Sequence, residues 1–335
     1  MKKLRTVATV ALVSITLTAL VVTAAGVNPA HVIAAFFKGT FSSWRHFLHV
    51  LSIWIPLALC SCGLLFTFSL GLWNIGIEGQ IMLGAVGATW CLRYLQGSVA
   101  PPLALVFALI AACAFGATWA VICGLLKIKS NVHEIFSGLG LNFVAQGLLL
   151  WLIFGPWKRA GIASMSGTEP FPRELWFPVP AGWRVSPLIL VASVLLMVAT
   201  AWVLKSTRWG LVIRAIGNNA KAAEVYGISI NRNFLMAMSV AGTLAGMVGY
   251  YQTVVVYHRL IPVISSNYGY LSLLVVMLAG YRCGPVPLIA LLFAILQAGS
   301  IQLPLMLGVD SALSGVIQGI LVLSALGVVH ARRKA

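Results

Sequence analysis

Charge is scarce in this sequence, and acidic charge scarcer still. Only 8% of the 335 residues are charged and six are acidic, where soluble domains carry about a quarter charged residues. A chain so poor in charge cannot cover a globular surface in water. That excludes a soluble enzyme, a disordered chain and a nucleic-acid-binding domain. Catalytic and metal signatures are missing as well. There is no G-x-x-x-x-G-K-[ST] phosphate loop and no CxxC. The six cysteines, Cys60, Cys62, Cys91, Cys113, Cys123 and Cys283, read as small buried hydrophobes. His46 and His49 could share a helix face, but no carboxylate accompanies them, and an interfacial role outweighs metal binding. We read no catalytic residue and no metal ligand in this chain.

What is present is long apolar runs and a surplus of cations. Hydrophobic residues make up 60% and the formal net charge is +16. Such runs imply an all-α integral membrane protein, because backbone groups in lipid must pair within the chain. A run from about 6 to 26 follows the basic start Met-Lys-Lys-Leu-Arg; it reads as an uncleaved first helix, with a cleaved signal as the alternative. Further runs lie near 50–70, 78–96, 101–126, 132–154, 187–204, 234–256, 267–281, 285–304 and 311–329, making about ten spans. With the N-terminus in the cytoplasm, fourteen Lys and Arg fall inside and eight outside. The positive-inside rule therefore favours both termini cytoplasmic. The surplus charge orients the chain and is not a nucleic-acid footprint.

Residues 1–335 read as one transmembrane domain with two long connections. The outside loop 155–186 is rich in proline and tryptophan; it is either an ordered cap at headgroup level or a linker with interfacial anchors. The inside loop 205–233 contains Asn218 and Asn219, either of which can N-cap a helix, and Gly227, suited to a left-handed C-terminal turn. A capped helix of about two turns cannot stand alone and needs a docking surface.

Three stretches carry a family resemblance: Gly71–Ala85 with Asn-Ile-Gly-Ile-Glu-Gly-Gln, Asn131–Ala145, and Arg214–Ile228 with Arg-Ala-Ile-Gly-Asn-Asn-Ala-Lys-Ala-Ala. A fourth, Asn267–Gly280 followed by Pro285, adds to them. Together they resemble permease subunits of bacterial ABC importers for nucleosides and simple sugars, the branch served by Bmp-type binding proteins and related to ribose permeases. The resemblance implies a type II-like permease in the inner membrane and alternating access. It also implies a second permease (the same chain or a homologue), an ABC ATPase subunit, and a periplasmic or lipoprotein binding protein. No cofactor would be bound by this chain; ATP and magnesium would sit in the partner ATPase. It assigns the loop helix as a coupling helix, with Arg214, Gly217, Asn219, Ala220, Ala223, Glu224 and Gly227 as the residues that couple the chain to the ATPase. Asn218 and His133 depart from the family pattern, where Glu and Asn are common, which weakens any inference about substrate.

Polar residues in apolar surroundings are the candidates for a pathway. Glu78, with Asn74 and Gln80, reads as a tight cytoplasmic turn in which Glu78 caps a helix start and Asn74 satisfies the turn backbone; a helix broken at depth is the alternative. Asn142 and Gln146 share a helix face, and with Gln252 they could line a pathway for a hydroxyl-rich solute or bond between helices. Gln302 is a weaker case of the same kind. Glu134 reads as a helix-start residue, with contact to an ATPase as the alternative. No carboxylate falls in the middle of an expected span, which weighs against an ion-coupled secondary transporter, the runner-up function. A structural membrane protein is the third class.

Overall fold

The computed structural model describes residues 26–159, 161 and 167–308, and scattered positions within 16–24 and 315–323. The expected first and last spans fall largely outside the described residues, as do both basic termini. Among the described residues all regular structure is helical: α1 (Pro29–Phe41), α2 (Trp44–Ser69), α3 (Ile77–Leu95), α4 (Pro101–Ser130), α5 (Glu134–Phe154), α6 (Pro187–Ser206), α7 (Arg208–Asn218), α8 (Ala220–Val225), α9 (Ile230–Tyr250), α10 (Tyr268–Leu278) and α11 (Val286–Leu307). A π-turn, Tyr251–Val256, prolongs α9. Two compact units divide the chain, one of residues 1–54, 181–185 and 288–335, the other of 55–180 and 186–287.

Among the described residues, five helices are long and apolar enough to cross a membrane: α2, α4, α5, α6, and α9 with its π-turn. Their expected spans match them within a few residues. Outside the loop 205–233, two elements differ from expectation. The sequence reading passed over α1, whose 13 residues are too few to span; Asn28 caps it, its Oδ1 accepting from the Ala30 N–H at 2.9 Å. The expected span 267–281 is only the 11-residue α10, about 16 Å long against a hydrocarbon core of about 30 Å. It is a half-helix.

The second unit is built on close helix contact. Along α4 the buried residues recur every fourth position: Ala104, Ala108, Ala112, Gly116, Ala120 and Gly124. This stripe of small side chains meets Gly242 and Gly246 of α9. A Cβ on Gly116 would overlap the carbonyl oxygen of Gly242, and one on Gly246 the carbonyl of Ala112. On α3, a Cβ on Gly84 would sit against the Gly246 Cα. Lipid supplies no hydrophobic drive between helices, so van der Waals contact at short backbone distance holds them. The outward faces are the reverse of a soluble protein's: Leu103, Val106, Phe107 and Ile110 of α4, and Leu188, Val191 and Leu195 of α6, are exposed and apolar.

At the Pro101 end of α4 the connection 167–177 is docked. Thr168 N–H donates to Leu260 O at 2.9 Å and Phe171 N–H to His258 O at 2.8 Å. The Trp176 ring lies flat on His258, with centroids 3.9 Å apart, and its Nε1–H donates to Phe171 O. Burial holds the His258 ring below the ordinary imidazole pKa, partly offset by its bond to the Val254 carbonyl. Phe171 and Leu175 join Ala104, Ala108 and Tyr250 in one apolar cluster.

The α4–α9 contact has no room for a larger residue. Gly116→Leu should cost more than about 3 kcal/mol. It should show a lowered thermal midpoint and an aggregated fraction on size exclusion in detergent. Ile110→Leu, on the exposed face of α4, should leave both unchanged.

Candidate functional site

The turn between α2 and α3 lies beside the interior of α5 and α4, not beside their ends. Its residues meet α5 and α4 well inside those helices. Asn142, two turns into α5, accepts from the Gly79 N–H with Oδ1 at 2.8 Å and donates from Nδ2 to Ile75 O at 2.9 Å. That position is about 12 Å from the start of α5. A Cβ on Gly79 would lie 3.0 Å from Nε1 of Trp119, three turns before the end of α4, or about 16 Å from it. The start of α3 is therefore a helix N-terminus at depth. Of the two readings of this turn, the geometry favours the helix broken at depth over the tight turn at the cytoplasmic edge.

Glu78 follows from that position. It is 2% exposed, and Oε2 accepts from the Gly269 N–H at 2.8 Å. The Ser265 side chain and the N–H groups of Asn267 and Tyr270 also face the carboxylate. Oε1 is buried without a hydrogen bond of good geometry among the described residues. Glu78 thus occupies the positive end of α10 while standing in the first turn of α3. It does cap a helix start, but the helix is one met 191 residues later in the chain. Gly269 makes this possible, because a Cβ there would overlap Oε2. Glu78 stands at the start of α3, not in the middle of a span, so it does not supply a mid-span carboxylate.

The other polar candidates are engaged in the same knot. Asn74 and Gln80 form a reciprocal amide pair at 3.2 and 3.0 Å; Asn74 thus bonds a side chain, not the turn backbone. Asn142 Nδ2 also donates to the Tyr270 hydroxyl at 3.2 Å. Gln146 donates to Pro262 O at 3.1 Å and Gln252 to Ile264 O at 3.4 Å, so both hold the 257–267 segment that leads into α10. The structure brings Glu78, Asn142, Gln146 and Gln252 around that segment, each with a protein partner. Glu134 pairs with Lys127, and His133 is the N-cap of α5, accepting from Ile135 N–H. Gln302 belongs to the other unit.

The loop 205–233 forms more structure than expected. Thr207 caps α7, which precedes the expected short helix. Gly217 packs its Cα against the Ser69 carbonyl, where no Cβ would fit. Arg214 donates to Gly210 O at 3.3 Å and Lys205 O at 3.4 Å, bracing the loop. Asn219 caps α8, its Oδ1 accepting from Ala222 N–H at 3.1 Å. At the other end Gly227 has φ +77°, and Ile228 N–H returns to Ala223 O at 3.1 Å. Ala223 faces inward while Ala220 and Glu224 are exposed. Beside them the apolar Val225 and Tyr226 are 86% and 85% exposed.

Sequence reasoning passed over Val225 and Tyr226, and also Gly269, Tyr270 and Trp119. Gly269 and Tyr270 stood within the fourth family-like stretch, but nothing local tied them to Glu78.

Residues 46–326 match the family described as branched-chain amino acid transport system / permease component. The glucose ABC transporter permease protein of Haloferax volcanii is 30% identical over 90% of this chain and 81% of its own length. The guanosine ABC transporter permease protein NupP of Bacillus subtilis is 26% identical, over 91% of this chain and 88% of its own. The ribose import permease protein of the same organism is 30% identical over 61% of each.

Asn142 holds three partners at depth and Gln146 one at a loop, so their removal should differ. Asn142→Leu strands the Gly79 N–H and the Ile75 carbonyl, at about 1–3 kcal/mol each. Gln146→Leu should cost about 1 kcal/mol or less. Thermal unfolding of the two variants in one detergent reads the difference; equal midpoints would contradict the role given to Asn142.

Proposed function

The chain belongs to the family of permease components of branched-chain amino acid transport systems, and on that premise we propose that it carries a nucleoside or simple sugar through the plasma membrane in an ATP-driven ABC importer. The relatives' names support the solute class: they specify glucose, guanosine, nucleosides and ribose. Residues 1–335 act as one permease domain of about ten spans with both termini cytoplasmic. ATP and magnesium belong to a partner ATPase, and a binding protein delivers solute to the outer face. A second permease completes the pathway; paired guanosine permeases occur in Bacillus subtilis, at 26% and 27% identity to this chain.

The observation that carries this reading is α8. A six-residue helix fixed at both ends by Asn219 and Gly227 presents Val225 and Tyr226 to the surroundings. Apolar side chains so exposed suit a groove on a partner. Ala220 and Ala223 keep the helix thin, and Glu224 offers a charge for pairing. Arg214 and Gly217 hold the base of the loop. When nucleotide draws the ATPases together, the displacement of α8 passes through α7 to α2 at the Gly217–Ser69 contact.

At the other end of that path is the knot at Glu78. The α3 and α10 N-termini move as one body while Glu78 bridges them, and Asn142 ties that body to α5. Asn74, Gln146 and Gln252 set its polar lining.

Gly227→Val requires a β-branched residue at positive φ, where it is strongly disfavoured. The variant should bind the ATPase but lose solute-stimulated hydrolysis and uptake by about tenfold or more. Tyr226→Ser should weaken ATPase co-purification instead. Normal coupled transport in both variants would overturn the assignment of α8.

A further inference from the structure

Two arginines in the first unit have no carboxylate partner among the described residues. Arg45 and His46 lie in the first turn of α2; Trp183 and Arg184 come from the 181–185 segment; Gln302 comes from α11. With Gly182 they line one pocket of about 560 Å³, within the roughly 300–1,000 Å³ typical of small-ligand sites. No acidic residue lines it, and neither arginine has an ion pair among the described residues. Two guanidinium groups facing one cavity repel each other unless an anion lies between them.

The neighbouring groups define the anion. Ser43 Oγ lies 2.6 Å from His46 Nδ1 and Ser42 Oγ 3.2 Å from it. With a serine hydroxyl donating to Nδ1, the ring proton resides on Nε2 and is available as a donor. The Gln302 amide adds a further donor. Arginine forks match the paired oxygens of a phosphate better than a halide or a single oxygen. Trp183 meets Trp44 edge-on at 5.8 Å, and both rings are exposed. Tryptophan collects at the headgroup level of a bilayer, where lipid phosphates lie.

We propose that this pocket binds a phosphate oxyanion, clamped by Arg45 and Arg184 with His46 and Gln302 as further donors. The headgroup diester of an anionic phospholipid is the source favoured by the paired tryptophans; a free phosphate shares the chemistry. The site is separate from α8 and from the Glu78 knot in residues, and its readout is lipid retention, so its failure would leave the permease reading untouched.

The test uses the full chain in nanodiscs of phosphatidylcholine alone or with phosphatidylglycerol. Native mass spectrometry counts retained phosphatidylglycerol, and thermal unfolding measures stabilisation. Wild type should retain phosphatidylglycerol and unfold at a higher temperature with it. Arg45→Gln with Arg184→Gln should lower retention roughly tenfold, as expected for loss of a charge-assisted bidentate contact. The double lysine variant, which keeps the charge and loses the fork, should fall between. Millimolar inorganic phosphate added to the phosphatidylcholine discs forms the second arm. Stabilisation there at matched ionic strength, lost in the glutamine variant, would support a free phosphate as the ligand. Equal retention in all three proteins with no effect of phosphate overturns the proposal. An equal loss on Arg259→Gln, a cation outside the pocket, overturns it too, because general surface charge would then account for the binding.

Discussion

A backbone N–H or carbonyl placed in hydrocarbon must find its partner inside the chain, and the two helix starts at depth in the second unit answer to that requirement. α3 and α10 both begin away from the membrane surface, so their first N–H groups have no water. Asn142 receives Gly79, and Glu78 receives Gly269. The remaining polar side chains extend the same accounting. Asn74 and Gln80 satisfy each other, and Gln146 and Gln252 take up donor positions on the carbonyls of the segment entering α10. A polar knot of this kind is possible only where the surrounding helices exclude lipid.

That exclusion comes from small residues. The four-residue spacing of alanine and glycine along α4 lets α9 and α3 approach to backbone contact. Close packing leaves few alternative arrangements, because displaced backbones meet no softer neighbour. The bundle of α3, α4 and α9 is thus a rigid frame, and α10, only 11 residues long, is a shorter piece attached to it through Glu78 and Tyr270. A permease needs both kinds of part: a frame that transmits displacement and an element that can change its setting.

Elements of the loop 205–233 were legible in the residues because its physics is local. Asn219 and Gly227 lie within one short segment, and cap geometry depends on neighbours in the chain. The spans were legible for a similar reason, since hydropathy is a property of each segment alone. α7 was missed because its N-cap Thr207 follows a long span without a composition break. The exposed pair Val225 and Tyr226 was missed because exposure depends on which face the bundle leaves open.

The sequence by itself determined the class of the molecule, an all-helical membrane permease, and the position and caps of α8. Scarcity of charge, long apolar runs and capping residues are one-dimensional signals, and solvent exclusion acts on them segment by segment. Only the tertiary structure decided the place of Glu78. Its carboxylate and the Gly269 N–H are 191 positions apart, and nothing along the chain records that they meet. The meeting exists because α3 starts at depth, and α3 starts at depth because helix packing, not local preference, sets where its first turn can be satisfied.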